Sequence, residues 1–184
     1  MSKKGLSKMD RKIIERRAER VLDAFEYDPS DCIYVDAVML ARFFGFNVIE
    51  SDSLPEHDDG NITVSADGKE KTIVVNTNRN FETKRFIITH ELSHYLLHYT
   101  GDQTLFRHRE NIKGKNEEEN DADFMAACLL MPRKSFSACY NVLKQTMSYS
   151  DMVVELQLVF KATSESVIRR ISEIKQRRVT YGQP

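Results

Sequence analysis

The five residues from His90 to His94, His-Glu-Leu-Ser-His, constrain this chain more than any other stretch of it. On an α-helix each residue turns about 100°, so positions i and i+4 lie about 40° apart and one turn up. His90 and His94 therefore project from one face, where one zinc ion can sit about 2.0–2.1 Å from a nitrogen of each. Glu91 points beside that pair, too far round to ligate. It is placed to take a proton from a water held there. A catalytic zinc needs a third protein ligand and an open fourth position. The fold must therefore bring a second segment back over this helix.

Two candidates for that third ligand follow the motif. His98 lies one turn past His94, but about 12 Å along the helix from His90, and a straight helix cannot bring both to one ion. The better candidate is a carboxylate on the next helix, which begins EEENDADFMAACLLMP at residue 117. There Glu119 and Asp123 are one turn apart on one face. Glu119 can ligate, and Asp123 can accept the second N–H of a ligand histidine and so fix its tautomer. The helix dipole accounts for Glu117 and Glu118 at a helix start. It does not account for Asp123 beside the apolar run FMAACLLM.

The rest of the chain reads as helices around a few strands. Apolar positions at helical spacing predict a helix over 8–26, and a second over 35–44 is stopped by Gly45. FNVI at 46–49, NITVS at 61–65 and KTIVVN at 71–76 read as strands, the last two joined by an Asp67-Gly68 turn. Asn78 or Asn80 caps the motif helix, which is expected to run to Gly101. Residues 101–115 read as a polar loop. Asn116 with Glu119 has capping-box spacing for the next helix, which ends before Pro132. The C-terminal third reads as helices, the last two at about 150–160 and 164–177.

RFIITHELSHYLLH, followed about twenty residues later by Glu119-x-x-Ala-Asp123-x-Met-Ala-Ala-x-Leu-Leu-Met-Pro, resembles the ImmA/IrrE family of metallopeptidases. The resemblance covers roughly residues 30–135. It implies an α+β, zincin-like core: an active-site helix on a small, mostly antiparallel sheet, with added N- and C-terminal helices. It implies His90, His94 and Glu119 as zinc ligands, Glu91 as general base, and Asp123 in the place behind a ligand where the family often has Asn. Ser93, Thr89 and Met125 depart from the usual Gly, Ala and Phe, and none of them is a ligand. The resemblance also implies cleavage of a protein partner, often an Xre-type helix-turn-helix repressor encoded nearby, as in phages and mobile elements. One zinc per chain is expected, with manganese or iron as chemical competitors for such a site.

Other residues carry weaker signals. Tyr95, Tyr99, Arg107 and His108 are candidates to stabilise the transition state, with His108 and Tyr99 preferred, and His57 falls in a turn-rich loop. KTIVVN, just ahead of the motif helix, is expected to line the cleft and pair with an extended substrate. Residues 153–176 outline two helices and a tight turn, with Arg169 and Arg170 early in the second, which resembles a DNA-binding helix-turn-helix. A net charge of −1 counts against DNA. The expected division is a peptidase domain over 1–140 and a helix-turn-helix-like segment over 141–184, packed on it.

Three cysteines without CxxC spacing argue for a reducing compartment, and the basic start of the chain has no apolar run behind it. A cytoplasmic protein with no membrane partner is expected. The rival to a peptidase is a metal-binding regulator that acts on a repressor or on DNA without cleavage. Glu91 counts against it, because a sensing site has no use for a general base.

Overall fold

Helix α1 (Arg11–Ala24) forms because Ile14, Ala18, Val21 and Leu22 fall on one stripe, and all four are buried. Asp10 caps it by accepting from the Lys12 amide at 2.8 Å. Burying each large aliphatic of such a stripe contributes about 1.5–3 kcal/mol. Helix α2 (Ala37–Phe43) starts on Asp36, which accepts from the Val38 and Met39 amides. It is left through Gly45, whose φ of 83° only glycine adopts freely.

This computed structural model describes residues 10–55, 58–99, 105–108 and 117–181, with the backbone alone for 105–108 and 177–181. Strands β1 (Asn47–Ser51), β2 (Gly60–Val64), β3 (Lys71–Asn76) and β4 (Leu105–His108) form one sheet in the order β1-β3-β2-β4. β1 runs parallel to β3, while β2 is antiparallel to both β3 and β4. The fold is thus α+β, with a mostly antiparallel sheet. The β2–β3 turn is built as its sequence implies: Gly68 has φ 71°, and Asp67 accepts from Ser65 Oγ and the Lys69 amide.

Two expectations fail here. Residues 105–108 form an edge strand, although their stretch reads as a polar loop. KTIVVN is an inner strand with β1 on one side and β2 on the other. Its backbone groups face those neighbours, so it cannot add a substrate strand.

Helix α3 (Phe81–His98) lies on the sheet, ends one turn earlier than expected, and takes Asn80 as its cap, accepting from the Thr83 amide at 2.9 Å. The sheet approaches it closely at Gly60, where a Cβ would lie 2.8 Å from the Val74 carbonyl oxygen and closer still to Ile87 Cγ2. Gly60→Ala should therefore cost about 1–3 kcal/mol, as overpacking does. Urea unfolding measures it, and an unchanged midpoint would show that the strand–helix contact is slack.

Helix α4 (Glu117–Leu130) packs across α3 and is followed by α5 (Arg133–Leu143), α6 (Tyr149–Phe160) and α7 (Ser164–Tyr181). The Asn116 cap expected for α4 lies outside the described residues, as does His57. Phe124, Met125 and Cys128 of α4 join the core formed by α1, α2, α3 and the sheet. Ala127 and Met131 join a second apolar cluster with α5, α6 and α7. The expected division at residue 140 falls inside α5, whose Phe136 and Tyr140 belong to that second cluster.

The C-terminal helices are held by charge as well as by apolar packing. Arg85 of α3 donates from Nε to the Lys161 carbonyl at 3.0 Å, at the carbonyl end of α6. Arg170 of α7 is 1% exposed and donates to Glu15 of α1, Glu173, Cys128 Sγ and the Met131 carbonyl. Burial pushes the Cys128 thiol up to about 12, so it is neutral, and Glu15 and Glu173 are the charges Arg170 balances. Glu15 also pairs with Arg133 at 3.1 Å. One of the two arginines that give these helices their resemblance to a DNA-binding pair is thus part of the interior.

Candidate metal centre

The middle of α3 is buried on every side, and His90, Glu91 and His94 are each at most 2% exposed. Thr89 and Ser93, the two hydroxyl residues beside them, donate to the Arg85 and Thr89 carbonyls at 2.8 and 2.7 Å. Those bonds stay within the helix and satisfy the two buried hydroxyls. α4 crosses this face and turns Glu119 and Asp123 toward the two histidines.

His90 Nε2 and His94 Nε2 are 3.1 Å apart. Glu119 Oε2 lies 3.2 Å from His90 Nε2, and Glu119 Oε1 lies 3.2 Å from His94 Nε2. Ligands about 2.0–2.1 Å from a tetrahedral ion stand about 3.3 Å from one another, so these separations are those of a zinc site's edges. On the far side of the ring, Asp123 Oδ1 lies 2.9 Å from His90 Nδ1. A proton at Nδ1 leaves a lone pair at Nε2 in the neutral ring. That lone pair, a second imidazole nitrogen and a carboxylate then share one small space, which a cation relieves. The residues present therefore fit a divalent metal.

Contact with the His90 and His94 rings holds the Glu119 carboxyl well below the usual carboxylate range. Glu119 is also the most open of the three, with its side chain 31% exposed against 1% and 2% for the histidines. The cluster is reached from that side.

His90, His94 and Glu119 thus converge as the spacing implies, and His98 does not join the group. Its ring follows His94 along the helix at 5.9 Å. Tyr99 is not brought to the cluster either. It stacks on Tyr95 at 4.9 Å, with its hydroxyl near Gly68 of the β2–β3 turn. Tyr95 accepts from Lys71 Nζ at 2.9 Å. His108 and Arg107 lie on edge strand β4, and their side chains are outside the described residues. Arg169 is the contact that the sequence reading missed: its Nη1 donates to Asp123 Oδ2 at 3.2 Å. Nothing local in the sequence points to it, because the partners are 46 residues apart.

Two packed helices over a small mixed sheet thus carry two histidines and a glutamate to one point, in a group that could hold a metal ion. Peptidase M78, the family described as the IrrE N-terminal-like domain, matches residues 41–172, which is well over half of the chain. The chain belongs to that family. A solved structure, the Mycobacterium tuberculosis transcriptional regulator, matches over 88% of this chain at 16% identity with a TM-score of 0.57. At that identity the likeness is one of fold. The match takes up 46% of that protein, so this chain spans a little under half its length. A comparison with curated protein sequences found no match.

Proposed function

We propose that the protein is a zinc-dependent endopeptidase that cleaves a protein partner, with an Xre-type helix-turn-helix repressor encoded nearby as the substrate. The observation that carries this reading is the spacing of the three ligand side chains, whose facing nitrogens and oxygens lie 3.1–3.2 Å apart in an otherwise buried wall. Membership of a peptidase family supports it.

His90, His94 and Glu119 would hold the ion, which when bound supplies Lewis acidity toward a scissile carbonyl and lowers the pKa of a water. Glu91 is the general base: it takes the proton of the attacking water and returns it to the leaving amine nitrogen. Asp123 orients His90 through Nδ1. Because β3 is an inner strand, the edges on which an extended substrate can pair, among the described residues, are β1 and β4. Arg170 faces the interior and Arg169 faces Asp123, so the two cations on which a DNA-binding reading would rest are committed elsewhere. The C-terminal helices are then a surface for the repressor.

The cysteines are free, and among the described residues no helix is long and apolar enough to cross a membrane. We place the reaction in the cytoplasm on the cysteine usage.

Elemental analysis of protein purified without chelator should find about one zinc per chain. Glu119→Gln should weaken metal binding strongly, and His98→Ala should leave it nearly intact. A chain that takes up no transition metal after zinc reconstitution would sink the proposal. A reversed order of the two variants would show that the wrong third ligand has been chosen.

A further inference from the structure

Helix α7 reaches back from the C-terminal end of the chain to the wall behind the metal-binding cluster. Arg169 Nη1 lies 3.2 Å from Asp123 Oδ2, and the other oxygen of that carboxylate lies 2.9 Å from His90 Nδ1. The Asp123 side chain is 6% exposed, so its charge cannot be left to solvent. A neutral imidazole brings no positive charge to it, and Glu119, one turn earlier on the same helix, adds a second negative one. The Arg169 guanidinium brings a positive charge to the carboxylate.

It also supplies a direction. Arg169 Nε is 3.4 Å from Glu173 Oε1, one turn along α7, and Glu173 is held in turn by Arg170 at 3.4 Å. A planar guanidinium drawn toward a carboxylate on one side is restrained in where its other side points. Here that other side points at Asp123.

We propose that Arg169 is a positioning residue of the metal centre. From α7 it holds the Asp123 carboxylate against His90 Nδ1, which presents Nε2 to the metal. The role rests on the metal reading above and is exercised through Asp123, not by contact with substrate. It makes the helix-turn-helix-like pair part of the site, although that pair contributes no ligand to it.

The test is zinc affinity of the full chain, measured by competition with a chromophoric chelator, beside thermal unfolding of the metal-free protein. Arg169→Ala should weaken zinc binding about 10–100-fold, the range found when a partner behind a ligand is lost. Arg169→Lys, which keeps the charge and loses the fork, should recover part of that. The double variant Arg169→Ala/Asp123→Asn should bind no more weakly than Asp123→Asn alone, because the two act in series. Arg133→Ala removes a 3.1 Å pair with Glu15 in the same buried ionic network without reaching Asp123. It should lower the unfolding temperature and leave zinc affinity unchanged.

Arg169→Ala that binds zinc within about threefold of wild type would overturn the role, whatever happens to its unfolding temperature. Full additivity with Asp123→Asn would overturn it too. Should the alanine variant fail to fold, Arg169→Gln is read in its place by the same criteria. A wild type that binds no zinc would overturn the ligand assignment as well, which separates the two failures.

Discussion

Glu91→Gln should leave the protein folded and metal-loaded, yet nearly unable to cleave. The residue is buried beside the ligands without belonging to their group, so its amide takes no donor from the ion. It does remove the carboxylate proposed to accept the water's proton. Losses of a general base run to about 10²–10⁴-fold. The assay is incubation with the repressor encoded nearest the gene, read by mass spectrometry of fragments. Casein is a poor substitute, since the proposed activity is directed at one partner. If the wild type binds that repressor, holds zinc and leaves it intact, while Glu91→Gln derepresses equally well in cells, the protein works by binding and the peptidase assignment fails.

The largest effect on stability is expected at Arg170. Its guanidinium is sealed inside the protein, and replacing it by methionine leaves Glu15 and Glu173 buried with less compensation. Breaking one side of such a buried pair costs about 3–5 kcal/mol. Arg133 and Arg169 still approach those carboxylates at 3.1 and 3.4 Å, which sets the expectation toward the lower end. Replacing Glu15, Arg170 and Glu173 together by apolar residues of similar size should recover most of the loss, because the charges then left behind, on Arg133 and Arg169, are about a third exposed to solvent. Urea unfolding at neutral pH measures both. A loss under about 1 kcal/mol for Arg170→Met would mean that water reaches the cluster.

The site was more legible in the sequence than the fold around it, and the reason is the range over which each signal acts. A histidine pair at i and i+4 needs only a helix to converge, and a helix is a local object. Glu119 with Asp123 one turn on is legible for the same reason. The Asp67-Gly68 turn and the Asn80 cap also rest on residues next to one another.

What failed was non-local. Strand β4 exists because β2 offers it a partner, and four residues inside a polar stretch do not announce that. KTIVVN carried a clue that went unused: Ile73, Val74 and Val75 run on without polar alternation, as strands flanked on both sides do. Arg170 looked like a surface cation because its main partner, Glu15, is 155 residues away at the other end of the chain. Tyr99, one of several candidates to stabilise the transition state, stacks on Tyr95 and is turned to the hairpin side.

Helix α4 is a party wall. Phe124, Met125 and Cys128 belong to one apolar chamber, and Ala127 and Met131 to the other, while its first turns carry Glu119 and Asp123. An ion gripped at one end and a protein seated on α6 and α7 would then draw on the same rigid element. Such coupling is reciprocal by thermodynamic necessity. If a docked repressor tightens the chain's hold on zinc by some factor, zinc tightens the hold on that repressor by the same factor. The chain would grip its target best when it is armed to cut it.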